Sequence, residues 1–394
     1  MTNPPSVAVV GGGPAGAVCA RRLAARGARV TLFEVSPSGE KPCGGGVPPA
    51  ALREFPELAD PTLSRRIART VIVHAPSGRT AEVPLEEGLH LFRRAELDAC
   101  LRRAAAGEGA QVLQGKVLSA ERGKGGEWRL RTDRGTCGGF DLLVAADGVN
   151  GAIGRSLAGP YPRQDLTLAL YAYAQGVPRT EVVLKFFRGL DGYLWAFPRT
   201  DHVSIGICGA WPAASASRLT DDLLRFMEEH YPEAALDPRS VRGYLIPASA
   251  RPPRGRARPA AASGEGWAVV GDAAGFVDPL TREGIAHAMR SGAAAAAELA
   301  GQARLATPPL PSELAWAHRH RRGFFRPEFL EALVRLASSS AAIRGVLADL
   351  LSGTQPYGGL RRRLLWAALP CGGQAGFRAL AEAGREARGW ARRR

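Results

Sequence analysis

Val7–Glu34 reads VAVVGGGPAGAVCARRLAARGARVTLFE, and this stretch decides the fold. Val7–Val10 is a short apolar run of the kind that forms a buried parallel strand. Gly11, Gly13 and Gly16 follow it in a G-x-G-x-x-G pattern. The first permits a tight turn, the second leaves the backbone open to a pyrophosphate, and the third lets the next helix pack close to the strand. Ala15–Arg26 is the predicted helix, with its N-terminal N–H groups facing the phosphates. Val30–Phe33 is the second strand. Glu34 ends it with a carboxylate that can accept hydrogen bonds from a ribose diol and would repel a 2′-phosphate. The site suits the adenosine half of FAD or NAD rather than NADP.

Two later segments agree with the first. In Asp141–Arg155, DLLVAADGVNGAIGR, an apolar strand ends at Asp147 and Gly148. In Trp267–Gly284, WAVVGDAAGFVDPLTREG, another strand ends in Gly271-Asp272, followed by Gly275. Ligands bind at the C-terminal ends of strands in open α/β sheets. Asp272 is placed to accept from ribityl hydroxyls. A helix starting near Gly284 and Ile285 can point its positive end at a flavin pyrimidine ring. Isolated Asp-Gly pairs are mostly turns. Three segments in this order describe a fold that wraps FAD.

Around these segments the patterning changes. Arg69–Leu85 reads as two strands about a Ser-Gly turn. Leu89–Phe92 is a separate short apolar run, and Arg94–Ala106 a helix. Val112–Ala145 is predicted to meander. Four strand-like runs between about Leu166 and Gly209 imply an antiparallel sheet inserted into the cofactor domain. Leu219–His230 is a predicted helix, Arg251–Gly266 a Pro/Arg/Ala loop, and the chain after Gly284 largely helical. The expected fold class is α/β: a Rossmann-like FAD-binding domain with an inserted antiparallel β-sheet substrate domain and a helical C-terminal region. The cofactor domain takes residues 1–68, 89–160 and 263–305. The substrate domain takes a hairpin at 69–88 and the sheet at 161–262, and residues 306–394 form the helical region.

The 394 residues carry a net charge of +15, almost all of it arginine, since the lysines are Lys41, Lys116, Lys124 and Lys185 alone. A compositional bias toward arginine accounts for this as well as attraction to an anionic membrane or substrate does. No nucleic-acid recognition motif is present. The six cysteines show neither a C-x-x-C pair nor zinc spacing, so reduced thiols and no metal are expected. The cofactor motif begins at residue 7, leaving no room for a secretion signal, and no apolar run reaches membrane-spanning length. A cytoplasmic protein is expected, with possible peripheral contact on the inner membrane surface. Arg361-Arg362-Arg363, the following LLWAALP and the terminal RGWARRR fit an interfacial helix or a basic helix packed on the protein itself.

The three segments resemble the p-hydroxybenzoate hydroxylase-like superfamily of FAD enzymes over most of residues 5–300. Gly151 stands where many members have Ser, and Arg282 where Gly is common. The resemblance implies that Arg94, in RAELDACL, contacts the flavin phosphates. It extends cofactor contacts to Ala15, Val117 and Leu118.

Lys41–Pro48, KPCGGGVP, and Tyr193–Pro198, YLWAFP, are similar to hallmarks of the geranylgeranyl reductase family within that superfamily. Members reduce isolated C=C bonds of polyprenyl chains. A proline common three residues before the tyrosine is replaced by Leu190. Physically, Gly44 and Gly46 after Cys43 clear one face for a flat ring and an apolar substrate. Alternation puts Tyr193, Trp195 and Phe197 on one face of a strand. Periodicity alone reads these first as core aromatics; the resemblance makes them a substrate wall. Cys43 is either a small packed thiol or a proton-transfer and flavin-tuning group, and Tyr193 is the other candidate proton donor. With a single complete glycine fingerprint, electrons must come from a transient donor, NADPH, NADH or a small redox protein. The expected activity is FAD-dependent saturation of polyprenyl double bonds. The alternatives are a flavin monooxygenase acting on a lipophilic natural product, and a non-catalytic flavoprotein. Cys43–Gly46 and Tyr193–Pro198 are expected to meet at opposite sides of one flavin ring, with an apolar channel between them.

Overall fold

Val7–Val10 lies at the centre of a six-stranded sheet in the computed structural model, which describes residues 3–36, 40–176, 179–234, 236–248, 262–301 and 310–368. The strand order is Ala262–Gly264, Trp267–Val269, Leu142–Ala145, Ser6–Val10, Arg29–Glu34 and Gln111–Gln114. All neighbours run parallel except the first pair. The order reverses at Ser6–Val10, and this reversal creates the crevice where such sheets bind ligands. Helix Pro14–Ala24 packs against helices Ile285–Leu299 and Arg94–Gly107. Close packing is enforced by two glycines: a Cβ on Gly16 would sit 1.9 Å from the Gly11 carbonyl oxygen, and one on Gly292 would sit 2.1 Å from that of Ala15.

The second sheet has eight strands, in the order Arg242–Pro247, Leu166–Ala174, Val203–Ala210, Tyr193–Pro198, Val182–Phe186, Arg65–His74, Thr80–Phe92 and Gly46–Val47. Its pairs are antiparallel except where Val182–Phe186 meets Arg65–His74. Alternation sorts its faces. Leu194, Ile205 and Ile207 pack under the amphipathic helix Ala216–His230, with Leu219, Leu223 and Phe226. Tyr193 and Trp195 face the other way, among Leu333, Val334 and Leu347. Those residues come from helices Pro327–Ser339 and Ala341–Leu351, which with Leu310–Phe324 and Tyr357–Ala368 cover the sheet.

The expected fold class is the observed one. Three local expectations change. Leu89–Phe92 continues strand Thr80–Phe92, because Gly88 takes a left-handed φ of 76° that keeps the strand paired past the register shift at Ala68/Thr70. The expected meander is divided. Gln111–Gln114 and Leu142–Ala145 join the parallel sheet, while Val117–Arg122, Trp128–Thr132 and Gly135–Phe140 form a separate three-stranded sheet. Most of the expected Arg251–Gly266 loop lies outside the described residues, as does the chain after Ala368, but the end of that stretch is not loop: Ala262–Gly264 is a strand paired antiparallel with Trp267–Val269. Among the described residues, no helix is long and apolar enough to cross a membrane.

Candidate active site

The glycine fingerprint forms a cradle at the head of helix Pro14–Ala24. Gly11 holds a φ of 102°, and a Cβ there would strike the Ala146 carbonyl. A Cβ on Gly13 would meet nothing within 4 Å. Gly13 is also the helix N-cap and supplies no capping side chain. A helix start with unclaimed N–H groups and no Cβ in front fits a pyrophosphate. At the end of the second strand, Glu34 accepts from the Gly12 N–H at 2.7 Å and the Ser36 N–H at 2.9 Å. Gly148 and Gly275, both with left-handed φ, turn the chain beyond two further strand ends. This donor set and these openings fit FAD, with the glycine loop at the pyrophosphate and Glu34 on the ribose side.

Asp147 has another task. Its carboxylate accepts from the Ile153 N–H at 2.7 Å and the Gly154 N–H at 3.1 Å, capping helix Ala152–Ala158. A Cβ on Gly151 would lie 2.0 Å from that carboxylate, which explains glycine at this position. Val117 and Leu118 begin the three-stranded sheet, where Val117 packs with Trp128 and Leu130, away from the central cavity. Arg282 adopts the left-handed φ of 57° that a glycine would take easily. Its guanidinium faces Asp191 at 3.6 Å, donates to the Pro279 carbonyl at 2.6 Å and lies over the Phe325 ring.

Between the two sheets lies a cavity of about 510 Å³. Cys43, Gly44, Gly46, Arg94, Tyr193, Trp195, Phe197, Asp272, Gly284 and Ile285 all line it. The two hallmark segments line the same cavity but touch directly, instead of standing apart with a channel between them. Phe197 lies on the glycines, and a Cβ on Gly44 would be 2.6 Å from its ring. Trp195 lies flat on the sheet because Gly206 beneath it has no side chain; a Cβ there would be 2.2 Å from the indole. The Tyr193 hydroxyl donates to the Thr281 carbonyl, and burial holds its pKa well above the usual phenol range. From the glycines the cavity runs into apolar walls of Val73, Leu89, Leu333, Val334 and Leu347.

Several polar contacts that shape this cavity carry no sequence signature. Lys41 places its ammonium 2.7 Å from Asp272, joining the Lys-Pro-Cys segment to the Gly-Asp segment. Burial opposes the charge on Lys41, but the Asp272 carboxylate and the Tyr244 ring beside it keep the pKa above the ordinary lysine value. Arg199, its side chain fully buried, pairs with Glu40 and donates to the Cys43 carbonyl, which also accepts from the Ser204 hydroxyl at 3.0 Å. Glu40 in turn accepts from the Arg94 and Ala95 N–H groups at the start of helix Arg94–Gly107. Burial disfavours the ionised Glu40 carboxylate, yet the Ala95 N–H, the Arg199 guanidinium and the Arg94 N–H together hold its pKa below the ordinary carboxylate value. Arg94 itself is buried in a two-oxygen contact with Asp98 and lies beside the Cys43 thiol.

A Rossmann-like sheet, an FAD-shaped cradle and an apolar cavity beside it define an FAD-dependent oxidoreductase. The family model of pyridine nucleotide-disulphide oxidoreductases matches residues 5–124. A geranylgeranyl diphosphate reductase of Rhodobacter capsulatus is 30% identical over 304 residues, 73% of each chain. A menaquinone reductase of Mycolicibacterium smegmatis is 30% identical over 316 residues, 75% of this chain and 76% of that one. The chloroplastic geranylgeranyl diphosphate reductase of rice is also 30% identical, over 73% of this chain, but the match spans 64% of the rice protein's length. The chain belongs to the geranylgeranyl reductase family of FAD-dependent oxidoreductases. A geranylgeranyl bacteriochlorophyll reductase-like structure from Thermoplasma acidophilum superposes with a TM-score of 0.73 at 23% identity, covering 93% of this chain and all of that one. A flavin-dependent brominase superposes with a TM-score of 0.64 at 18% identity over the whole of both chains. These structures share the fold.

Proposed function

We propose that this protein saturates C=C bonds of a geranylgeranyl or longer polyprenyl group. The observation that carries the proposal is the apolar cavity, which starts at Cys43–Gly46 and continues past Tyr193, Trp195 and Phe197 between the eight-stranded sheet and the C-terminal helices. A hydrocarbon offers nothing to hydrogen-bond, so its recognition requires a concave apolar wall. Relatives named for geranylgeranyl diphosphate and menaquinone agree with such a substrate.

Bound FAD, once reduced by NADPH or a small redox protein, supplies the hydride for one alkene carbon. The protein's own residues supply the rest. Gly44 and Gly46 let Phe197 pack directly on the segment that would face the cofactor. Arg199 and Ser204 fix the Cys43 carbonyl and so the segment that faces the reaction. Lys41, paired with Asp272 at the cavity wall, would bring positive charge to the side of the site that holds the cofactor. The second alkene carbon requires a proton. The Tyr193 hydroxyl proton is committed to the Thr281 carbonyl, whereas the Cys43 thiol lines the cavity and accepts from the Gly45 N–H at 3.3 Å. That arrangement favours Cys43, or a water it holds, as the donor.

Anaerobic incubation of the reduced holoprotein with geranylgeranyl diphosphate should give products heavier by multiples of two hydrogen atoms. Oxygen consumption coupled to substrate, with an oxygenated product, would establish a monooxygenase instead. The arginines of helix Tyr357–Ala368 beside the exposed Trp366 support peripheral contact with an anionic membrane, which liposome flotation tests.

A further inference from the structure

Strand Thr80–Phe92 pairs along one side with Arg65–His74, but on its other side with Gly46–Val47 at His90 and Leu91 alone among the described residues. Near Thr80–Pro84 the large sheet therefore has an open edge. The apolar cavity reaches that edge, where side chains rather than a further strand close it. Outside lies a second void of about 480 Å³, bordered by Thr80, Glu82, Ser338 and Arg344. Two residues line both voids, Ala81 and Ala337. Both are buried. Deeper in, the cavity wall is made of larger side chains such as Val73, Leu333 and Leu347. Two alanines therefore separate the apolar cavity from the outer void.

We propose that Ala81 and Ala337 form a gate through which the distal part of a long polyprenyl chain leaves the protein, so that the small size of these two residues admits chains longer than the cavity holds. The inference deepens the proposed function and rests on it for the chemistry of the ligand. Two methyl groups present little to displace. Ala337 sits near the end of helix Pro327–Ser339, three residues before a break at Ser340, after which helix Ala341–Leu351 begins. Arg344 straps this turn by donating to the Ala337 carbonyl at 2.9 Å. Passage through the wall lets a bond far from the chain's end reach the reacting segment at Cys43–Gly46. A closed cavity would force the chain to fold back on itself.

The test uses FAD-loaded protein and a series of polyprenyl alcohols, with affinity read by displacement of a fluorescent polyprenyl probe. The native protein should bind twenty-carbon and forty-five-carbon alcohols with similar affinity. Ala337→Phe should weaken the longer alcohol at least about tenfold relative to the shorter. Ala81→Leu, from the opposite wall, should do the same and serves if the first variant fails to fold. Native protein that binds the shorter alcohol and rejects the longer overturns the gate, as does an unchanged ratio in both variants. Binding of both alcohols without reduction leaves the gate standing and overturns the proposed activity. Failure to bind either alcohol overturns both.

Discussion

Arg199 shows how much of the site rests on single buried contacts. Its guanidinium holds Glu40 and the Cys43 carbonyl together, and Glu40 also starts helix Arg94–Gly107. Removing one partner of a buried ion pair leaves the other charge uncompensated. Arg199→Met should therefore cost about 3 kcal/mol of unfolding free energy and weaken FAD retention, because the Cys43–Gly46 segment loses its anchor. A loss below about 1 kcal/mol would show that Glu40 is hydrated well enough to need no partner. Trp195 should behave differently. Trp195→Ala removes a wall of the cavity but no cofactor contact, so turnover should fall at least about tenfold while the flavin stays bound. Equal loss of flavin and turnover would contradict its assignment to substrate. The two residues differed in how readable they were. Alternation within one strand put Tyr193, Trp195 and Phe197 on one face, and the family resemblance pointed to that face as a substrate wall. Arg199 could not be read this way, since its partner Glu40 lies 159 positions away and an isolated arginine carries no pattern.

Elements that bind the cofactor were legible because their signals are local: apolar run, glycine turn, helix. The structure adds the reason each glycine stays. Gly16→Val should expel FAD and destabilise the fold, since even a Cβ would overlap the Gly11 carbonyl; flavin absorbance of the purified variant reads this directly. Pairings between elements were less legible. No sequence pattern announces that Val182–Phe186 would run parallel to Arg65–His74, because β-branched alternation fixes a face and not a neighbour. That junction places His74 against His230 and Phe226 under helix Ala216–His230. Burial, then the nearby His230, Lys185 and Arg179, push its pKa down to about 4. The folded state thus favours neutral His74. Its contribution is complete above the unfolded value near 6.5 and is lost as pH falls from there toward about 4. With partial exposure screening the effect, the loss is on the order of 1 kcal/mol. His74→Gln should flatten the decline in Tm between neutral and acidic pH, and an unchanged decline would assign it to other groups.

At the scale of the whole molecule, the C-terminal helices are what turn a flavoprotein scaffold into a closed apolar site. Sequence alone showed only that this region is helical, because Leu333, Val334 and Leu347 carry no motif and acquire meaning from the sheet they cover. One seam ties this cover to the cofactor domain. The Tyr357 hydroxyl donates to Asp278 at 2.6 Å, and the Asp278 carboxylate also accepts from the Leu280 and Thr281 N–H groups in the loop before Gly284. The Tyr357 N–H donates to Glu313 at 2.6 Å, and the Trp316 ring stacks on Tyr357. Burial and the adjacent Asp278 carboxylate hold the tyrosine neutral, so the seam does not loosen across ordinary pH. Tyr357→Phe removes the hydroxyl and keeps the stacking. Deleting a hydrogen bond to a buried carboxylate costs about 1.5–3 kcal/mol, which should lower Tm by a few degrees. If the cover also keeps oxygen from the reduced cofactor, air should reoxidise the reduced variant faster than the native protein. A lower Tm with an unchanged reoxidation rate would make the seam structural alone, and would place the barrier to oxygen in the first layer around Phe197 and the glycines rather than in the helices above them.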